Sequence, residues 1–235
     1  VTTSTVFTLA GAFGNLTYMS GEFGGAITNG NTWVPIAYPN WGIGTISQLE
    51  QGAELFNAQA TSTSGPKVAF GHSLGAVCLV YWLQNYGPTS SIPPSDLTFL
   101  LIGNSVNPYG GFCYDINWFP GVSLNGVSTP YTVTDFARQY DGWADFPQNL
   151  GNLLSDENAL CGQNYVHPDY TTVSLTDPTN VSHTVGNITY TWAVTWPIPL
   201  LGTSQNAFTQ AADEELRSSV ESGYSRPVTI PNPTY

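Results

Sequence analysis

Between a β-run, Lys67-Val68-Ala69-Phe70, and a helical pattern, Ala76 to Leu83, the chain reads Gly71-His72-Ser73-Leu74-Gly75. A strand that reverses into a helix within one residue leaves no room for a Cβ two positions to either side, and that is where the glycines stand. Such a turn lifts the serine hydroxyl clear of the sheet, so the pentapeptide predicts a nucleophile elbow at Ser73. A strand-turn-helix at this point also restricts the fold, because it calls for an open sheet with helices packed on it.

The flanking segments agree with such a sheet. Thr5 to Ala10 predicts a first strand running into a glycine loop, Gly11-Ala12-Phe13-Gly14, and Val34 to Pro39 a second strand with proline limits. Leu49, Ala53, Leu55 and Phe56 suit an amphipathic helix over Ile46 to Ala60. Leu97 to Gly103 is an unbroken apolar run of the kind buried on both faces, and Thr132 to Tyr140 is a further strand. Helical segments follow at Gln148 to Cys161 and at Gln205 to Ser222, the latter stopped by Gly223. The expectation is one α/β domain over 1–235, with a mostly parallel central sheet and helices on both faces. Two aromatic-rich insertions, about 107–130 and 176–199, are expected to cap a pocket. The second holds a hairpin around Val185-Gly186-Asn187.

Four Lys plus Arg against sixteen Asp plus Glu give a net charge of −12, which repels phosphate backbones and anionic headgroups. Nucleic acid is thereby excluded as a partner, and a neutral ester is the better fit. No stretch reaches the ~18 apolar residues of a membrane span, so no stable membrane insertion is expected. Val1 opens directly into a strand-like run, so any export signal has been removed or was never present. Three cysteines cannot all pair: Cys78 reads as a buried thiol, while Cys113 and Cys161 could form one bridge in an exported protein. None has the spacing of a metal site.

A serine hydroxyl needs a base, and the base an acid to fix its tautomer. Of three histidines, His72 sits on the elbow and points away from the base position, leaving His167 or His183. The order Ser, Asp, His is met by Ser73, the Asp141/Asp145 pair and His167. Only one of the two aspartates can reach the imidazole. Asp145 is favoured, because its apolar neighbours Phe146-Pro147 desolvate it, while Asp141 can cap the turn. Donors for an oxyanion are the Leu74 N–H and one from Ala12 or Phe13. Trp118, Phe119 and Trp196 are candidates to line an acyl-chain pocket. No metal or organic cofactor is called for.

Taken with Leu100-Leu101-Ile102-Gly103-Asn104, the Arg138 to Pro147 string, Tyr165-Val166-His167 and Ser222 to Arg226, the elbow makes the chain resemble the PE-PPE-type hydrolase domain of mycobacteria and their relatives, which is similar to cutinases and lipases. The resemblance covers nearly the whole length. It implies an α/β-hydrolase fold, a serine esterase acting on small-molecule or lipid acyl esters, and Ser73, Asp145 and His167 as its triad, without deciding Asp145 against Asp141. The protein is expected to be secreted or cell-envelope associated, or virion-associated if phage-encoded. Alternatives are an acyltransferase to sugar hydroxyls and a non-catalytic binding or virion module. The loop Gly11-Ala12-Phe13-Gly14 departs from the usual Gly-Gly-Thr-Gly-like sequence and loses its threonine hydroxyl. No PE or PPE segment precedes Val1 in this sequence, so the expectation is an excised domain or a free-standing relative, a phage-carried one included.

Overall fold

A computed structural model describes residues 3–234; Val1, Thr2 and Tyr235, at the two ends of the expected domain, lie outside the described residues. The strands are β1 Thr5–Leu9, β2 Thr32–Pro35, β3 Lys67–His72, β4 Leu97–Ile102, β5 Thr132–Arg138, β6 Val181–Val185 and β7 Ile188–Ala193. They form one sheet in the order β2-β1-β3-β4-β5-β7-β6, parallel throughout except for the β6–β7 hairpin. The helices are α1 Ile46–Ser62, α2 Leu74–Asn85, α3 Phe112–Asp115, α4 Leu153–Tyr165 and α5 Ala207–Glu221. Parallel strands joined by crossovers bring all their carboxyl ends to one edge, and the elbow opens there.

The period of two divides each inner strand between two cores. On β4, Leu97, Phe99 and Leu101 face α1 and α2, and Leu100 and Ile102 face the other way. Helix α2 is apolar on nearly every side because it is covered by both the sheet and α1. Its Trp82 packs against Phe56, Phe99 and Tyr131 with ring centroids 5.4–5.5 Å apart. The opposite face, around Phe70 and Phe136, is covered differently. Two short 3₁₀ turns, Tyr18–Ser20 and Glu22–Gly25, bring Met19 and Phe23 onto it, and Tyr170 completes it.

Both insertions differ from expectation. The 176–199 segment is no lid, since β7 lies beside β5 in parallel register from Val133↔Ile188 to Arg138↔Ala193 and β6 forms the sheet edge. Its alternating apolar residues, Ile188, Tyr190 and Trp192, are core. The 107–130 segment buries Cys113, Phe119, Val122 and Leu124 against the main core, so it forms a wall. Cys113 and Cys161 are free thiols, as is buried Cys78. Helix α4 starts later than predicted, where the Asn152 side chain accepts the Ser155 N–H as an N-cap.

All four basic residues are turned inward: Lys67 and Arg217 are buried, and the side chains of Arg138 and Arg226 nearly so. The surface of the described residues therefore offers no cation to relieve the net negative charge. No helix is long and apolar enough to cross a membrane.

Candidate active site

β3 ends at His72 and α2 begins at Leu74, so Ser73 makes the turn, at φ 53° and ψ −121°. That backbone conformation costs about 1–3 kcal/mol and is held by its neighbours. The Ser73 N–H donates to the Ile102 carbonyl at 2.9 Å, and Val77 N–H donates to the Ser73 carbonyl at 3.1 Å. A Cβ on Gly71 would stand 2.7 Å from the Gly75 carbonyl oxygen, and one on Gly75 would overlap the Leu9 carbonyl. The two glycines are thus required by close backbone approach.

The turn aims Ser73 Oγ at His167, whose Nε2 lies 2.9 Å away. His167 follows α4, and its Nδ1 is 2.8 and 2.9 Å from the two carboxylate oxygens of Asp141. A carboxylate only accepts, so Nδ1 carries the proton and Nε2 presents its lone pair to the serine hydroxyl. Burial alone would push the Asp141 carboxyl up. The imidazole, the Tyr170 hydroxyl donating at 2.6 Å and the Trp143 N–H donating at 2.9 Å outweigh it and hold the group below the usual carboxylate range.

The carboxylate against His167 is therefore Asp141 and not the expected Asp145. Asp145 is equally buried, but it faces Arg226, which donates from Nε and Nη2 at 2.6 Å each, and it also accepts the Tyr140 N–H at 2.7 Å. Neutralising that carboxylate takes a guanidinium from 81 residues along the chain. Asp141 does cap its turn, through the Trp143 and Ala144 N–H groups, while also holding the imidazole. Nothing near Asp141 in sequence announced Tyr170, and Arg226 carried no signal beyond the family-like string at its end of the chain.

Of the oxyanion donors, Leu74 N–H opens α2 and is free of an intrahelical partner by its position. Phe13 is excluded, since its N–H donates to the Asn40 carbonyl at 2.6 Å. Ala12, the other loop candidate, lines both clefts at Ser73. Two clefts meet at the serine. One, of about 210 Å³, is lined by Phe13, Ile43, Leu74, Phe119 and Trp143. The other, of about 360 Å³, is lined by Gly11 to Asn15, Tyr18 and Pro168. Phe119 is the one aromatic candidate that lines either cleft. Trp118 is half exposed beside it, and Trp196 lies instead in a separate cavity with Arg138 and Gln205, because β7 carries it away. His183 stands on β6 against Tyr109. No cluster of side chains among the described residues could hold a metal ion.

Buried groups give the fold a distinctive pH dependence. Burial pushes Glu22 from 4.5 up to about 7 and Asp135 from 3.8 up to about 7; the Tyr170 N–H and the Asn104 amide counter this only in part. Between those values the folded chain keeps protons that the unfolded chain releases, so stability falls as pH rises through this window. His72 opposes this. Burial and the neighbouring His167 lower it from 6.5 to about 3, and the unfolded chain takes up a proton that the fold refuses. Glu22 and Asp135, with Asp145 raised by burial in the same direction, outweigh His72 and leave the unfolding midpoint higher at pH 5 than at pH 7.5, as thermal denaturation across that range will show. Asp135→Asn is expected to flatten the slope, and a midpoint rising from pH 5 to 7.5 contradicts the account.

A family model described as the PE-PPE domain matches residues 39–225, about four-fifths of the sequence. The chain belongs to the PE-PPE domain family. Among PE-PPE relatives, "Esterase PE16" of Mycobacterium tuberculosis (strain ATCC 25618 / H37Rv) is 31% identical over 191 residues, covering 72% of this chain and 35% of that protein. "PE family protein PE3" of the same strain is 35% identical over 181 residues, covering 68% and 38%. The chain thus spans little more than a third of the length of these relatives. Solved structures similar to this PE-PPE chain include a cutinase-like protein from Cryptococcus sp., 18% identical with a TM-score of 0.38, over 61% of this chain and 79% of that one. Alpha/beta hydrolase domain-containing protein 10 from mouse is 8% identical with a TM-score of 0.42, over 94% and 91%.

Proposed function

We propose that the chain is a serine carboxylester hydrolase working through an acyl-enzyme. The observation that carries this reading is the continuous chain of contacts from Ser73 Oγ to His167 Nε2 at 2.9 Å and from His167 Nδ1 to Asp141 at 2.8 Å. Ser73 Oγ attacks the ester carbonyl carbon while its proton passes to His167 Nε2, and Asp141 supports the imidazolium that forms. The carbonyl oxygen becomes an oxyanion received by the N–H groups of Leu74 and Ala12, and each such donor is worth about 2.7–4 kcal/mol in the transition state. His167 then protonates the departing alcohol. A water, deprotonated by the same nitrogen, hydrolyses the acyl-Ser73 ester and restores the hydroxyl. Kinship with a relative named an esterase supports the reaction class.

The acyl chain occupies the cleft of Ile43, Leu74, Phe119 and Trp143. Phe13 and Ile43, 76% and 65% exposed at its mouth, present apolar surface that a hydrocarbon chain removes from water. A panel of nitrophenyl esters tests both parts. Hydrolysis is expected, with kcat/KM climbing beyond acetyl by about fourfold per methylene, from ~0.8 kcal/mol for each buried CH₂, until the cleft is full. No turnover of any ester sinks the reaction class, and a flat response from acetyl upward sinks the acyl cleft.

A further inference from the structure

The side of the site away from the acyl cleft is held by a segment that the chemistry above does not use. The Gly11 N–H donates to the Tyr18 hydroxyl oxygen at 2.7 Å, and that hydroxyl lies 2.6 Å from His72 Nδ1. His72 Nε2 is in turn 2.9 Å from the backbone carbonyl of His167. The direction of each bond follows from what its ends can do. An amide N–H only donates and a carbonyl only accepts, so Tyr18 must give its proton to Nδ1 and His72 must carry its own on Nε2. The two imidazoles lie 4.9 Å apart over Gly103, whose φ is +58° and where a Cβ would stand 2.9 Å from His167 Cε1 and 3.0 Å from His72 Cδ2.

Four residues further on, the same segment reaches the acid. Glu22, buried, accepts the Tyr170 N–H at 3.0 Å, and the Phe23 N–H donates to the Tyr170 carbonyl at 2.9 Å. The Tyr170 hydroxyl takes the Arg138 N–H at 3.1 Å and gives its proton to Asp141 Oδ2 at 2.6 Å.

We propose that Tyr18, His72, Glu22 and Tyr170 are positioning residues forming one clamp, in which segment 18–23 grips the base through the His167 carbonyl and the acid through Asp141 Oδ2. The clamp rests on the esterase reading. It ties the loop bearing the Ala12 donor to the loop bearing the base, so that oxyanion donor, base and acid keep one register during proton transfer. Tyr18 and Glu22 both precede residue 39, where the family match begins. Displacing a catalytic group by about an ångström costs on the order of a hundredfold in rate, which bounds the effect.

Tyr18→Phe and Tyr170→Phe test the clamp, each removing one hydroxyl. Both are expected to keep the parent circular dichroism spectrum and to lose ten- to a hundredfold in kcat, with KM within about twofold. The groups that bear on His167 are Asp141 and His72, with Tyr170 behind the first and Tyr18 behind the second. Without the Tyr170 hydroxyl, Asp141 keeps more of its charge for the imidazolium, so the acid limb of the kcat/KM profile moves to higher pH in Tyr170→Phe. Folded variants with parental kcat and an unmoved acid limb overturn the clamp. If a variant does not fold, imidazole nitrogen resonances of the parent decide: His72 must show a bare Nδ1 and a protonated Nε2 from pH 5 to 8, and the opposite tautomer refutes the proposal. A parent whose Ser73 takes up no fluorophosphonate refutes the esterase reading underneath. A labelled parent with unaltered variants refutes the clamp alone.

Discussion

Asp141→Asn is expected to lower kcat by about 10⁴, with a modest fall in the unfolding midpoint from the lost Tyr170 bond. The amide oxygen of asparagine still accepts the Trp143 and Ala144 N–H groups that the carboxylate accepts now, so the turn survives. Its NH₂ then takes the place of Oδ2 and points at His167 Nδ1, which has to accept instead of donate, and at the Tyr170 hydroxyl, which loses the acceptor of its proton. The imidazole proton moves to Nε2, facing Ser73 Oγ, and the lone pair that should receive the serine proton is gone. The loss should fall on kcat, because Asp141 is buried beneath the imidazole and lines neither cleft at Ser73. Steady-state kinetics normalised to correctly folded enzyme will check it, and Asp141→Asn with parental kcat removes Asp141 from the mechanism.

The opposite outcome is expected at Asp145, four residues on. Asp145→Asn leaves the buried Arg226 guanidinium with Glu221, at 2.8 Å, and the faces of Tyr224 and Tyr140 to offset it. Breaking a buried pair from one side costs about 3–5 kcal/mol. For a chain of this size that lowers the unfolding midpoint by about 10 °C. Per folded molecule, kcat stays within a few-fold of the parent, since Asp145 touches neither Ser73 nor His167. The pair also explains why Arg226 is held above its ordinary value, burial being outweighed by the carboxylate against it. Thermal unfolding of Asp145→Asn, read beside its kinetics below the transition, separates stability from catalysis. A stable protein without activity at Asp145→Asn would reverse the assignment of the two aspartates.

These two residues also mark how far sequence reasoning reaches. The elbow was legible because its cause is local: glycines two residues to either side of Ser73 answer a clash within five residues of backbone. The inner strands were legible from their unbroken apolar runs, and His167 from the small number of histidines and the chain order. The choice between Asp141 and Asp145 was not, because local polarity favours Asp145 while Arg226, remote in sequence, claims it in space. Trp196 misled for a related reason. Aromatic content in 176–199 suggested a lid, whereas pairing of β7 with β5 makes the same residues sheet and core. Tyr18, Glu22 and Tyr170 left no trace of their contacts at all, since two short turns and a loop have no periodicity to read.

The central claim is that Ser73 is a hydroxyl made nucleophilic by His167. A fluorophosphonate reacts covalently with such a serine and with few others, and peptide mass spectrometry locates the adduct. The account predicts stoichiometric labelling on the peptide containing Ser73, lost on unfolding and absent in Ser73→Ala. Labelling at another residue, or none on folded protein, would contradict it.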